Sequence, residues 1–278
     1  MTKAKRQMQE DIKLVDLVIE ILDARIPISS RNPDIDTLAR GKARIVLLNK
    51  SDLADERITS QWMDYFKSKD IQAVKLDSRN RGDMKKIEPA VQKACREKLE
   101  RNKARGIIGR PVRAMVAGIP NAGKSTFINS FAKKAVAKTG NKPGVTKGKQ
   151  WIRLSKTLEL LDTPGILWPK FEDRKAGRNL AFIGSMNDQI LELTRLAMEL
   201  AGVLNESYPG VIEERYKVTE GIPEDATQEV KALYMAALSR NALSKGGEAD
   251  LEKAAAIVLD DFRSGRLGRI SLETPEDL

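Results

Sequence analysis

Six short apolar runs punctuate the first 165 residues: "LVDLVIEILDAR" (14–25), "ARIVLLNKSD" (43–52), "IQAVKLDS" (71–78), "VRAMVAGIP" (112–120), "QWIRLS" (150–155) and "TLELLDTPG" (157–165). Each ends at a polar or Gly/Pro cluster, as a strand does on reaching a loop. Between them, "ITSQWMDYFKSK" (58–69) and "MKKIEPAVQKACREKLERNKA" (84–104) read as helices. Strands therefore alternate with helices, which predicts an α/β fold with a mostly parallel sheet covered by helices on both faces.

Past about Pro169 the strand signals stop. "NDQILELTRLAMELAGVL" places Ile190, Leu193, Leu196, Ala197, Leu200 and Leu204 on one helical face, and "EADLEKAAAIVLDDFRSG" does the same with Leu251, Ala255, Val258, Leu259 and Phe262. The expected organisation is an α/β domain over 1–178 and an all-α domain over 179–278, with no internal repeat and no low-complexity linker. At 278 residues with 41% apolar composition, the chain can bury one substantial core and a smaller second one.

Composition removes several chemistries. There is no histidine, so Ser-His-Asp triads, His-zinc sites and imidazole acid/base catalysis are excluded. Cys95 is the single cysteine, which excludes an internal disulfide framework and a Cys-based metal site, and reads as a small residue on a helix. No disulfide-linked partner is expected. No run approaches the roughly 18 apolar residues of a membrane span, and the N-terminus "MTKAKRQMQEDIKLVD" lacks the apolar core of a secretory signal. A cytoplasmic protein without membrane contact is the expectation. The net charge of +10 and the pI near 9.6 fit either a polyanionic partner or a merely soluble basic surface, and charge distribution has to decide between them.

The richest chemistry lies at 118–126, "GIPNAGKST". It fits G-x-x-x-x-G-K-[ST] between an apolar run and the helix-like "STFINSFAKK", the context that a phosphate loop requires. Gly118, Ile119, Pro120, Asn121, Ala122 and Gly123 would curl backbone N–H groups around phosphate oxygens, with the helix N-terminus at Ser125 and Thr126 adding partial positive charge. Lys124 would reach the β and γ phosphates, and Ser125 would ligate Mg²⁺. In "LLDTPG", Asp162 would hold Mg²⁺ through water and the Gly165 N–H would sense the γ phosphate. Alone, without the phosphate loop, that tetrapeptide reads better as a simple turn.

"NKSD" at 49–52 follows the strand-like "RIVLL". The Asp52 carboxylate can accept from guanine N1–H and the 2-amino group, a pattern adenine lacks, while Asn49 can serve the base N7 and the loop and the Lys50 stem can lie along the base. In "LDSRNRG", Ser78 stands where a backbone amide can meet guanine O6, flanked by Asp77 and Arg79. The order along the chain is base-reading loop, base-supporting loop, phosphate loop, magnesium loop, which inverts that of an ordinary GTPase. All loops at the carboxyl edge of one parallel sheet can face one ligand whatever the order in which the chain visits the strands. One site in a circularly permuted P-loop GTPase domain is therefore expected.

With "DARIPISSRNP" (23–33), "NKSD", "GIPNAGKST", "KPGVTKG" (142–148), "DTPGILWP" (162–169) and the helical tail, the chain closely resembles, over nearly its whole length, the circularly permuted GTPases of the YlqF/RbgA family, which assist assembly of the large ribosomal subunit. The resemblance implies GTP/GDP and Mg²⁺ as ligands, with Thr146 as the Mg²⁺-binding threonine of switch I. It implies a potassium ion near the phosphates, helped by Asn121, and a C-terminal domain that binds rRNA. Lys124, Thr146 and Gly165 are the residues expected to serve the hydrolytic step. The family's aromatic-Pro-Gly-His lead-in has no counterpart at Met1 here. Ile166 follows "DTPG" where Ras-like proteins carry a water-orienting Gln, and an aliphatic side chain cannot position a water, so slow turnover without the ribosome is expected.

Charge distribution supports the same reading. Lys133 to Lys156 holds eight Lys/Arg and no acid, flanking the expected switch where GTP-dependent contacts to an RNA backbone would form. "KACREKLERNKARGIIGRPVR" and "DFRSGRLGR" add basic surface. Trp62, Trp151 and Trp168 are too scattered for a base-stacking platform and are expected to pack in the core. A P-loop ATPase or small-molecule kinase would share the phosphate loop, but "NKSD" argues against it. A GTP switch for a protein or membrane partner fits the basic run less well, and no lipidation signal is present.

Overall fold

The strand β1 (Leu17–Asp23) is buried at every position, as a strand must be when it has neighbours on both sides and helices on both faces. β2 (Ala43–Asn49) and β3 (Gln72–Leu76) extend the sheet on one side, and β4 (Val112–Ala117), β6 (Leu158–Leu161) and β5 (Trp151–Arg153) on the other, in the order β3-β2-β1-β4-β6-β5. All neighbours are parallel except β5 and β6. The computed structural model describes residues 3–130, 151–161, 174–186 and 192–278. It divides into two compact units, Met1–Lys170 with Glu273–Leu278, and Phe171–Leu272.

Register fixes where the loops emerge. Asp23 pairs with Asn49, and Asn49 with Leu76, so the loops after β1, β2 and β3 leave the sheet at one level. The loop after β4 leaves at the same edge. Helix α1 (Lys3–Leu14) precedes β1, helices α2 (Ile35–Leu38), α3 (Glu56–Ser68), α4 (Arg81–Met84), α5 (Ile87–Ala94) and α6 (Arg96–Ala104) lie between the strands β1 to β4, and α7 occupies 124–130. α3 starts at Asp55, whose carboxylate accepts from the N–H groups of Arg57 and Ile58. That cap starts the helix three residues beyond Asp52.

α3 is held by its apolar face. Trp62 and Phe66 pack with Leu22, Val46 and Leu48, and Trp62 meets Tyr65 edge to face at 5.5 Å. Removing a buried aromatic of this size costs about 3–5 kcal/mol, whereas exposed ion pairs contribute about 1 kcal/mol or less. The cluster, not the surface pair Lys75–Glu56, therefore positions the helix. The Trp62 indole N–H donates to the Glu273 carbonyl at 3.1 Å. The buried Glu273 carboxylate in turn accepts from the N–H groups of Ile28 and Ser29 and from the Ser29 hydroxyl, which is why the last six residues join the first unit.

The second unit is helical: α8 (Arg174–Phe182), α9 (Leu193–Ser207), α10 (Val211–Tyr216), α11 (Gln228–Ser239) and α12 (Leu251–Arg263). Leu196, Ala197, Leu200 and Leu204 of α9 and Ala255, Val258, Leu259 and Phe262 of α12 are buried, on the faces that periodicity marks. Leu193 and Leu251, at the first turns, are only half-buried, and Ile190 lies outside the described residues. The compact units divide after residue 170 where the sequence places the boundary after 178, because α8 packs on α9 and α12.

Three further differences have physical causes. The helix expected over 84–104 is broken into α4, α5 and α6, with Cys95 buried at the α5–α6 junction instead of riding on one helix. Burial pushes its thiol up to about 11. The polar N-terminus forms α1, whose Met8 and Ile12 are buried. Trp62 is a core residue, while Trp151 is half-buried with the Arg113 guanidinium 4.8 Å over its ring. Trp168 lies outside the described residues.

Candidate nucleotide-binding site

Residues 118–123 turn from β4 into α7, and two glycines make the turn feasible. A Cβ on Gly118 would lie 2.6 Å from the Ile21 carbonyl oxygen, and one on Gly123 would lie 2.1 Å from Asn49 Nδ2, with Gly123 already at φ +99°. Side chains are thus excluded at both positions by contact with other strands, beyond the flexibility of the loop itself. Ile119, Ala122 and Phe127 are buried and pin the loop and the start of α7. Asn121 (φ 60°) sits exposed at the tip, and Ser125 and Thr126 are exposed in the first turn of α7. The turn and the N-terminus of α7 therefore gather backbone N–H groups at this edge of the sheet, an arrangement suited to an anion.

Asn49, at the end of β2, is the hub. Its amide nitrogen donates to the Ala122 carbonyl at 2.7 Å, and its amide oxygen accepts from the Ser78 N–H at 3.0 Å and the Ser78 hydroxyl at 2.8 Å. One buried side chain thus joins the phosphate loop to the loop after β3, and the pattern of donors and acceptors fixes which way the amide faces. Ser130 of α7 adds a hydrogen bond to the Ser78 carbonyl at 2.7 Å. Leaving a buried amide partner unsatisfied costs about 1–3 kcal/mol, so this link holds the three loops in mutual register.

Lys50 adopts the left-handed conformation (φ 57°), which turns its ammonium back to Asp23 at 3.0 Å. Asp23 is fully buried and also takes two contacts from the Arg25 guanidinium, at 2.9 and 2.8 Å. Burial alone would raise the Asp23 pKa, but Arg25 and Lys50 outweigh it and hold the carboxyl well below the usual range. At neutral pH the group is a fixed anion that anchors Lys50 within the 49–52 loop. Asp52 is engaged by Arg79 at 2.6 Å. Arg79 also holds Asp77 through its guanidinium and backbone N–H. Asp77 is kept below its ordinary value, burial being outweighed by Arg79.

Lys124 folds over its own loop, donating to the carbonyls of Gly118 at 2.5 Å and Ile119 at 2.9 Å. Burial lowers its pKa to about 8, because a desolvated ammonium is disfavoured relative to the neutral amine. A phosphate at the loop mouth would favour the ammonium and raise that value. Triphosphate binding then takes up a proton above pH 8. Affinity is expected to be flat below about pH 8 and to fall by up to about tenfold per unit above it, measurable by titrating GTP at pH 7, 8 and 9 in buffers of different ionisation enthalpy.

The structure brings together Asn49, Lys50, Asp52, Asp77, Ser78, Arg79 and the whole of 118–126 at one sheet edge. Thr146, Asp162, Gly165 and Ile166 lie outside the described residues. Among the described residues no cluster of Cys, Asp or Glu is arranged to hold a metal, and Ser125 supplies a hydroxyl at the helix start. The residues that sequence reasoning left without a role are Asp23 and Arg25. Their signal was present in "DARIPISSRNP", since a charged pair ending the central strand must face the same edge as its neighbours.

A family model described as 50S ribosome-binding GTPase matches residues 113–230. Ribosome biogenesis GTPase A of Bacillus cereus is 47% identical over 277 residues, covering 100% of this chain and 92% of that protein. The Thermotoga maritima protein of the same name is 31% identical, covering 99% and 92%. Among solved structures, GDP-bound YlqF is similar with a TM-score of 0.72 at 28% identity over 98% of this chain and 100% of that one. GNP-bound YlqF from T. maritima has a TM-score of 0.68 at 28% identity, covering 100% of both chains.

Proposed function

The chain belongs to the ribosome biogenesis GTPase A family, and on that premise we propose that it is a cytoplasmic GTP-dependent switch for assembly of the large ribosomal subunit. It binds guanine nucleotide and hydrolyses GTP in a circularly permuted GTPase domain. The GTP form binds rRNA of the pre-ribosomal subunit, and hydrolysis permits release. The observation that carries the site assignment is the Asn49 amide, which ties the phosphate loop to the loop of Ser78 beside Asp52.

In this reading each residue has a role, supported for the described residues by their common sheet edge and for the others by the resemblance. Asp52 reads the guanine edge, with Lys50, held by Asp23, along the base and Ser78 near the base carbonyl. Residues Gly118 to Thr126 receive the phosphates, and Lys124 exchanges its two loop carbonyls for β and γ oxygens. Ser125 would hold Mg²⁺ together with Thr146 and, through water, Asp162. When bound, that ion neutralises phosphate charge. Asn121 at the loop tip would contribute to a potassium site. The Gly165 N–H would contact the γ phosphate. Ile166 offers no group to orient water, so turnover by the isolated protein is slow and the ribosomal subunit stimulates it.

Co-sedimentation with isolated large subunits tests the switch. The GTP-analogue form is expected to pellet with subunits at least tenfold more tightly than the GDP form, with affinity falling steeply across a salt series as released counterions require. Equal binding in both nucleotide states would leave a GTPase and remove the switch.

A further inference from the structure

The sheet's opposite edge, roughly 20 Å from the nucleotide loops by the length of β1, carries a concavity. A groove of about 1350 Å³ runs past Asp16, Arg44 and Gln72 at the starts of β1, β2 and β3 and along α5 and α6. Twelve Lys/Arg line it against four Asp/Glu. That excess of eight compares with ten for the whole chain, so positive charge is concentrated here instead of spread evenly.

Some of these cations are already engaged. Arg31 and Arg44 pair with Asp36 and the buried Glu20, and Lys98 pairs with Asp16. Arg40, Lys67, Lys93, Arg101, Arg105 and Arg110 are exposed and have no carboxylate partner among the described residues. They come from the turn after α2, the end of α3, α5, α6 and the loop leading to β4. α6 itself buries no residue, which is the pattern of a helix that serves a surface more than a core.

A second, independent feature borders the groove. Ile107 is 41% and Ile108 88% exposed, between Gly106 (φ 73°) and Gly109 (φ 76°) and flanked by Arg105 and Arg110. Two left-handed glycines hold an apolar tip out in water between arginines. Apolar side chains flanked by cations are a recurrent means of packing into a nucleic-acid groove while phosphates are gripped alongside.

We infer that this amino-edge groove is a nucleotide-independent anchor for the backbone of folded RNA, with the Ile107–Ile108 tip seated in a groove of that RNA. Its concavity gives a flat bilayer little contact, whereas a continuous line of phosphates can meet cations contributed by five separate elements. Because the nucleotide loops leave the other edge of the sheet, the anchor holds in both the GTP and GDP states. The inference takes the RNA partner from the reading above but uses none of that reading's residues.

The test is fluorescence anisotropy with an RNA duplex of about 20 base pairs over a salt series, on the full chain in GDP and GTP-analogue forms. The triple variant Lys93→Gln, Arg101→Gln, Arg105→Gln is expected to lose at least tenfold in affinity, by the same factor in both forms. Its log–log salt slope should fall by about three, while GTP affinity and unstimulated turnover stay unchanged, which also certifies the fold. Ile108→Ser should weaken binding severalfold with no change of slope. Unchanged slope and affinity in the triple variant would overturn the anchor, as would a loss confined to the GTP-analogue form or tighter binding of a polyglutamate peptide than of RNA. Equal binding of wild-type protein to subunits in both nucleotide states would instead overturn the switch and leave the anchor standing.

Discussion

Lys124→Ala is expected to weaken GTP binding by more than about 100-fold while leaving the fold intact. The ammonium is half-withdrawn from water, resting on the carbonyls of Gly118 and Ile119, and burial has already lowered its pKa to about 8. A charge in that position is a liability to the ligand-free fold, so alanine costs the folded state little. Against phosphate the sign reverses. Charge-assisted hydrogen bonds are roughly twice as strong as neutral ones, and losing about 3 kcal/mol of them corresponds to somewhat more than 100-fold. Far-ultraviolet dichroism and a melting curve would match wild type, and nucleotide titration would not. Normal turnover in the folded variant would count decisively against the phosphate-loop assignment.

Much of this site is legible in the sequence because its residue types are tied to backbone events. A Gly-rich stretch between a strand and a helix announces the phosphate loop, and the structure supplies the reason its glycines are required: Ile21 and Asn49 leave no room for a Cβ. The sheet was legible for a similar reason, since β1, β2 and β4 are apolar runs ending in polar clusters. What escaped depends on pairing across long separations. Asp23 reaching Lys50 and Glu273 reaching Ser29 are contacts between segments whose spacing carries no periodic signal. The breaks among α4, α5 and α6 escaped because a polar, charged stretch reads as helix throughout, and only tertiary packing decides where it bends.

Asp52→Asn is expected to lower GTP affinity by about 100-fold or more and to make xanthosine triphosphate the preferred ligand. In the proposed site the carboxylate would accept from both guanine N1–H and the 2-amino group, and an amide would turn one of those acceptors into a donor that faces another donor. A site built to hydrogen-bond a group discriminates by large factors, because the mismatch leaves buried polar atoms unpaired. The xanthine 2-oxo group restores the match. Arg79, which holds Asp52 at 2.6 Å here, is no obstacle: it is a solvent-exposed partner worth about 1 kcal/mol or less and keeps its contacts to Asp77 when guanine takes Asp52.

The central claim is that the loop at 49–52 and the loop at 118–126, inverted in chain order, hold one guanine nucleotide. Calorimetric titration of wild type and Asp52→Asn with GTP, xanthosine triphosphate and ATP tests it directly. The account predicts that wild type selects GTP, that the variant selects xanthosine triphosphate, and that ATP binds weakly to both. GTP affinity unchanged in the folded variant would show that Asp52 does not face the base, and would contradict the single permuted site.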